Sequence, residues 1–200
     1  MYLNVRAQVA GQQSIVSLVP SQTELLHYLG LEEDVVAITK FCIHPIEWFK
    51  SKIKVGGTKA IDVEKIKTLQ PSLIIANKEE NVRSQVEALS DYPVWLTDVN
   101  NLEDALKMIA DVVNITGTSE KAERLIHLIK GKFSALEEAT RPENVAYLIW
   151  NEPYMTIGGN TFIHDMITRT GMRNVFENRQ RSRFRKKFEP LTIKYTFHHR

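Results

Sequence analysis

Cysteine is nearly absent: Cys42 is the only one in 200 residues, so no intrachain disulfide can form and a disulfide-stapled scaffold is excluded. No stretch approaches the roughly 18 uninterrupted apolar residues that a membrane-spanning helix requires. The opening MYLNVRAQVAGQQ has one basic residue, Arg6, and lacks the apolar run of about 7 to 15 residues found in an export signal. Taken literally, such a start implies a cytoplasmic chain. Familiar catalytic signatures are missing too. No G-x-G-x-x-G follows the first apolar run, and there is no Walker loop, G-x-S-x-G elbow or H-E-x-x-H. An enzyme built on those motifs is excluded, and no catalytic residue is assigned.

The formal net charge is only +2, yet it is unevenly spread. Residues 179–200 hold eight Lys or Arg against the single Glu189, leaving 18 basic and 23 acidic residues elsewhere, a net of −5. Within that tail, Arg183, Phe184, Arg185, Lys186, Lys187 and Phe188 interleave basic and aromatic groups, as nucleic-acid-binding segments do. One alternative is therefore a small cytoplasmic α/β protein whose basic tail binds nucleic acid. Short basic runs are more commonly just solvated, so nucleic acid is not the favoured partner.

Before the tail, short β-branched apolar runs alternate with helical patterns, the sequence form of a parallel sheet covered on both faces. Strands are expected over 14–19, 34–39, 72–76, 93–97 and 144–150. Helices are expected between them. Ser21 with Glu24 forms a capping box and Gly30 a stop, while Asp62 caps a helix flanked by Ile61 and Ile66 at staple spacing. Residues 79–90 and 101–114 read as two more helices. A longer amphipathic helix capped by Ser119 runs to about residue 140, apolar at Ala122, Leu125, Ile126, Ile129, Phe133 and Leu136. After it comes a strand, a Gly158-Gly159 turn, and a helix capped by Asn160 and closed by Gly171. The expected organisation is an N-terminal α/β lobe over 13–116, a backbone helix joining the lobes over 117–140, the start of a C-terminal α/β lobe over 141–178, and an irregular basic tail over 179–200.

The segments SIVSLVPSQTELLHYLGL, VVAITKFCIHP, KVGGTKAIDVEKIKTLQPSLIIANKEEN and VAYLIWNEPYMTIGGNTFIHDM, in that order, resemble the helical-backbone metal receptor group. These are the class III substrate-binding proteins of ABC importers for cobalamin, haem and iron-siderophores, and the cobalamin-binding branch is the most similar. The resemblance implies two Rossmann-like lobes with parallel sheets joined by a long interdomain helix, and a chelate held in the cleft between lobes without catalysis. It also implies a monomer, periplasmic or membrane-associated, that needs no cofactor and delivers its guest to an ABC permease at the membrane surface. Here the second lobe is expected to be incomplete. The change of character after Arg181, as in a frameshift or truncated reading frame, accounts for this, and a smaller facing wall lowers affinity.

Ligand-binding positions follow from the resemblance and from the rule that cleft loops lie at strand C-terminal ends. They are Pro20 and Ser21 after the first strand, Phe41 after the second, Asn77 and Glu79 after the third, and Trp150 and Tyr154 near the start of the second lobe. Glu64, at the second position of its helix, matches a permease-docking glutamate, although the helix dipole favours a carboxylate there in any case. Cys42 and His44 offer thiolate and imidazole, but two candidate ligands do not make a metal site, and none is assigned. Trp48 and Trp95 are expected in core or loop packing.

Overall fold

The computed structural model describes residues 13–136, 141–152 and 154–179, apart from the side chain of Ser119. The expected Ser119 cap and nearly all of the basic tail lie outside the described residues. Those described form two compact units, 13–99 with 103–132, and 100–102 with the described part of 133–179.

In the first unit, β1 (Ile15–Ser17), β2 (Val35–Ile38), β3 (Ile53–Lys54), β6 (Leu73–Asn77) and β7 (Val94–Thr97) form one sheet in the order β3-β2-β1-β6-β7. Every pairing in it is parallel. Between β3 and β6 the chain makes a small antiparallel ribbon, β4 (Gly56–Gly57) with β5 (Ala60–Ile61). Helices α1 (Pro20–Leu29), α2 (Ile46–Ser51), α3 (Val63–Thr68), α4 (Arg83–Glu87), α5 (Leu102–Thr116) and α6 (Ser119–Ser134) complete it.

Parallel strands must bury both faces, and two apolar clusters do so. One gathers Ile15, Val35, Leu73, Ile75 and Trp95 with Leu25, Leu26 and Leu29 of α1, Trp48 of α2, Ile109 and Val112 of α5, and Ala122 of α6. The other joins Val16, Ala37, Ile74, Ala76 and Val94 to Ile66 of α3 and Val86 of α4. Trp48 and Trp95 are therefore core residues. Leu125, Ile126 and Ile129 of α6 pack on the first cluster, so this part of the helix's apolar stripe belongs to the first unit's core.

Helix ends show which local rules prevailed. Asp62 caps α3 as expected, accepting from the Lys65 N–H at 3.0 Å, and Gly30 closes α1 at φ 86°. Ser21 is not a cap: Val19 is the N-cap of α1 and makes no side-chain capping bond. Pro20 holds the first helical position, where its fixed φ is already helical and its missing N–H costs nothing, so the helix starts before Ser21. The pattern over 79–90 yields only α4, because Asn77 Oδ1 accepts from the Glu79 and Glu80 N–H groups at 2.8 and 3.2 Å and holds those residues in a turn.

In the second unit, the expected strand 144–150 is broken. Its two parts, β8 (Asn144–Val145) and β9 (Leu148–Trp150), enter separate two-stranded sheets, β8 parallel to β11 (Arg173–Asn174) and β9 antiparallel to β10 (Met155–Thr156). All three residues of β9 are exposed. With antiparallel pairing to β10 and all three residues exposed, the segment is not, among the described residues, a strand buried on both faces. Helix α7 (Phe162–Arg169) is capped by Thr161 rather than Asn160, Thr161 Oγ1 accepting from the His164 N–H at 3.2 Å.

Candidate functional site

From β1 the chain builds β2 and β3 on one side, then crosses to build β6 and β7 on the other. The strand order thus reverses between β1 and β6, and a crevice opens outside the carboxyl ends of those strands. The loops that follow the strands, 18–21, 39–42, 55–59, 78–82 and 98–99, form this rim.

The polar residues buried in the first unit, among those described, all stand at this end: Ser17, Gln22, Thr23, Thr39, Thr58, Asn77, Asn81 and Thr97. Burying a polar group is unfavourable unless it is bonded, so they mark where the backbone needs bracing. Asn81, 6% exposed, joins three loops. Its Nδ2 donates to the Leu18 carbonyl at 3.3 Å and the Thr58 carbonyl at 3.1 Å, and its Oδ1 accepts from the Asn77 N–H at 2.8 Å. Thr97 accepts from Asn77 Nδ2 at 3.1 Å, donates to the Ala76 carbonyl at 3.1 Å and accepts from Gln22 Nε2. The Ser17 and Thr23 hydroxyls are 2.8 Å apart, and Thr23 donates to the Val19 carbonyl at 2.9 Å. Sequence reasoning missed Asn81, Gln22 and Thr97; only Thr97, a polar residue closing an apolar strand, carried a local signal.

The first-unit positions expected to touch a ligand are placed on this rim in different states. Pro20 is half-buried and Ser21 exposed at the start of α1. Phe41 is 52% exposed, with Lys40 anchored by its N–H to the Gly56 carbonyl at 2.8 Å. Asn77 is buried with both amide atoms engaged, so it shapes the 78–81 turn, while the Glu79 side chain is exposed on that turn. In the second unit, Trp150 is 63% and Tyr154 50% exposed. Glu64, at the second residue of α3, keeps its side chain 83% exposed while pairing with Lys67 at 3.1 Å. Cys42 is fully buried, its Sγ 3.2 Å from the Thr23 and Thr39 hydroxyl oxygens, whereas His44 is exposed; the two point to different surroundings.

A cavity of about 150 Å³ lies beside β7 and α5, lined by Trp95, Thr97, Asp98, Lys107 and Met108 among others. Pockets for drug-sized guests run from about 300 Å³ upward, so this cavity is too small for a tetrapyrrole.

A parallel sheet whose strand order reverses between β1 and β6, braced at its carboxyl end, defines an open α/β fold. Residues 15–195 match the family described as Periplasmic binding protein, and the chain belongs to it. It is a class III substrate-binding protein in fold and family, as the ordered sequence segments implied. It is 26% identical over 169 residues to the vitamin B12-binding protein of Vibrio campbellii, covering 82% of this chain and 61% of that one. It is also 28% identical over 167 residues to YvrC, an uncharacterized ABC transporter substrate-binding lipoprotein of Bacillus subtilis, covering 78% of this chain and 52% of that one. The periplasmic haem-binding protein RhuT of Roseiflexus sp. RS-1 superposes with a TM-score of 0.69 at 25% identity, over 82% of this chain and 66% of that one. The chain thus spans 61% and 52% of the two curated relatives.

Proposed function

We propose that this protein is the solute-binding component of an ABC-type importer, and that it holds a metal chelate such as cobalamin, haem or an iron-siderophore and hands it on chemically unchanged. The observation that carries the reading is the gathering of the first unit's buried polar groups at one sheet end, around a crevice edged by the exposed Phe41. Interior hydrogen bonds hold the loop backbones there, leaving the rim surface free for a guest. The names of the vitamin B12-binding and haem-binding relatives support the chelate class.

In this reading Pro20, Ser21, Phe41 and Glu79 contact the guest, Asn77 sets the loop that presents Glu79, and Trp150 and Tyr154 supply further aromatic contacts. Glu64 is the docking carboxylate for the permease, its exposure leaving it accessible to a basic partner. The protein works as a monomer, periplasmic or membrane-associated, and the chelate is cargo, not a cofactor. The test is an absorbance titration with haemin and with cyanocobalamin, for the native chain and Phe41→Ala. Saturable one-to-one binding of at least one guest, weakened in Phe41→Ala, is expected. No saturable binding of either up to about millimolar concentration, a binding free energy of roughly −4 kcal/mol, contradicts it.

A further inference from the structure

The rim carries three lysines in its loops, and they are not equivalent. Lys59 donates to the Glu79 carbonyl, and Lys78 pairs with Asp98 at 2.6 Å. Both are committed to acceptors of the protein itself. Lys40 has no carboxylate partner among the described residues, although the chain outside the basic tail carries more acid than base.

Lys40 stands beside the one aromatic that the first-unit rim exposes. Its Nζ is 5.4 Å from the centre of the Phe41 ring. Both side chains lie across Gly57, where a Cβ would come within 2.9 Å of Phe41 Cε2 and 3.2 Å of Lys40 Cε. A residue with a side chain at 57 would lift the ring edge and the lysine stem off the ribbon; glycine lets them settle on its backbone. The result is an exposed aromatic ring with an ammonium over it that is held by no carboxylate among the described residues.

We infer that Lys40 is a specificity-determining residue, and that the guest of this rim is a planar conjugated chelate bearing carboxylates on its edge, in preference to one edged by neutral amides. The inference rests on the binding reading proposed above. The Phe41 face offers stacking to any planar macrocycle, whatever its substituents. The ammonium discriminates: on its flexible stem it can make a charge-assisted hydrogen bond to an edge carboxylate, and the corresponding bond to an amide carbonyl is weaker.

The test uses coproporphyrin, a porphyrin with edge carboxylates, and cyanocobalamin, a corrin edged by amides. Each is titrated into the native chain, Lys40→Gln and Lys40→Arg, and followed by amide NMR shifts, which register weak binding as well as tight. Expected are coproporphyrin shifts at Lys40, Phe41 and Gly57. The ratio of coproporphyrin to cyanocobalamin affinity should fall about fivefold in Lys40→Gln, as for an exposed ion pair, and recover in Lys40→Arg. An unchanged ratio in Lys40→Gln, with guests bound, overturns the inference and leaves the binding reading standing. No shift with either guest in the native chain overturns the binding reading, and the inference with it.

Discussion

The side-chain amide of Asn81 donates to the backbone carbonyl of Leu18, 63 residues earlier, at 3.3 Å. It thereby ties the loop after β6 to the loop after β1, the two strands between which the sheet order reverses. Asn81→Ala would leave the Leu18 and Thr58 carbonyls and the Asn77 N–H without this partner, and destabilisation of about 2–4 kcal/mol is expected, since each orphaned buried group costs roughly 1–3 kcal/mol before water compensates. Asn81→Asp keeps the acceptor for Asn77 but loses both donors, and should remain destabilised. Urea unfolding of the three chains measures this; equal midpoints would show that Asn81 braces nothing.

Two glycines should respond to alanine in opposite directions. Gly56 has φ +87°, and a Cβ on it would run into the Ala60 carbonyl across the ribbon. Gly56→Ala should therefore cost more than about 1 kcal/mol, because left-handed strain adds to the collision. Gly131 lies inside α6 with nothing within 4 Å of an added Cβ. There alanine should stabilise by about 0.5–1 kcal/mol through helix propensity. Thermal unfolding of the single variants checks both signs.

The cap of α3 gives a narrower expectation. Asp62→Ala removes the acceptor for the Lys65 N–H and should cost about 1 kcal/mol, whereas Asp62→Asn should cost only a few tenths, since either side chain can cap. Denaturant midpoints of the two variants separate these outcomes.

The three tryptophans are spread across the extremes of exposure: Trp48 at 0%, Trp95 at 2% and Trp150 at 63%. Acrylamide should quench one red-shifted emission component strongly, and Trp150→Phe should abolish it while the blue-shifted emission persists. Quenching of Trp48 or Trp95 comparable to that of Trp150 would contradict the described core.

How far the sequence disclosed this structure depended on the length of each signal. Four strands of the first unit's sheet were legible because runs such as SLIIA are too apolar and β-branched for an amphipathic helix. The Asp62 cap and the Gly30 stop were equally plain, since each depends only on neighbours in the chain. Strands β3, β4 and β5 have two residues each, too few to show any period, so the pairing of Gly56 and Gly57 with Ile61 and Ala60 left no signal in the sequence. Ser21 misled because a capping box and Pro at the first helical position signal helix starts two residues apart, with N-caps at 21 and 19, and proline prevailed. The run over 144–150 looked like one buried strand because apolar composition does not reveal which strands pair with it. At the site, Phe41 was visible as an aromatic after a strand. The role of Asn81 was not, since its partners at Leu18 and Thr58 are distant in sequence.

In the proposed function a guest sits on the carboxyl-end rim of the five-stranded sheet. Hydrogen–deuterium exchange with and without saturating guest, haemin or cyanocobalamin, tests it most directly. Added protection is expected, within the first unit, only in loops 18–21, 39–42, 55–59 and 78–82, with α3 and α4 unchanged. Saturable binding that protects only α3 and α4 and leaves Phe41, Gly57 and Glu79 exchanging as before would contradict it.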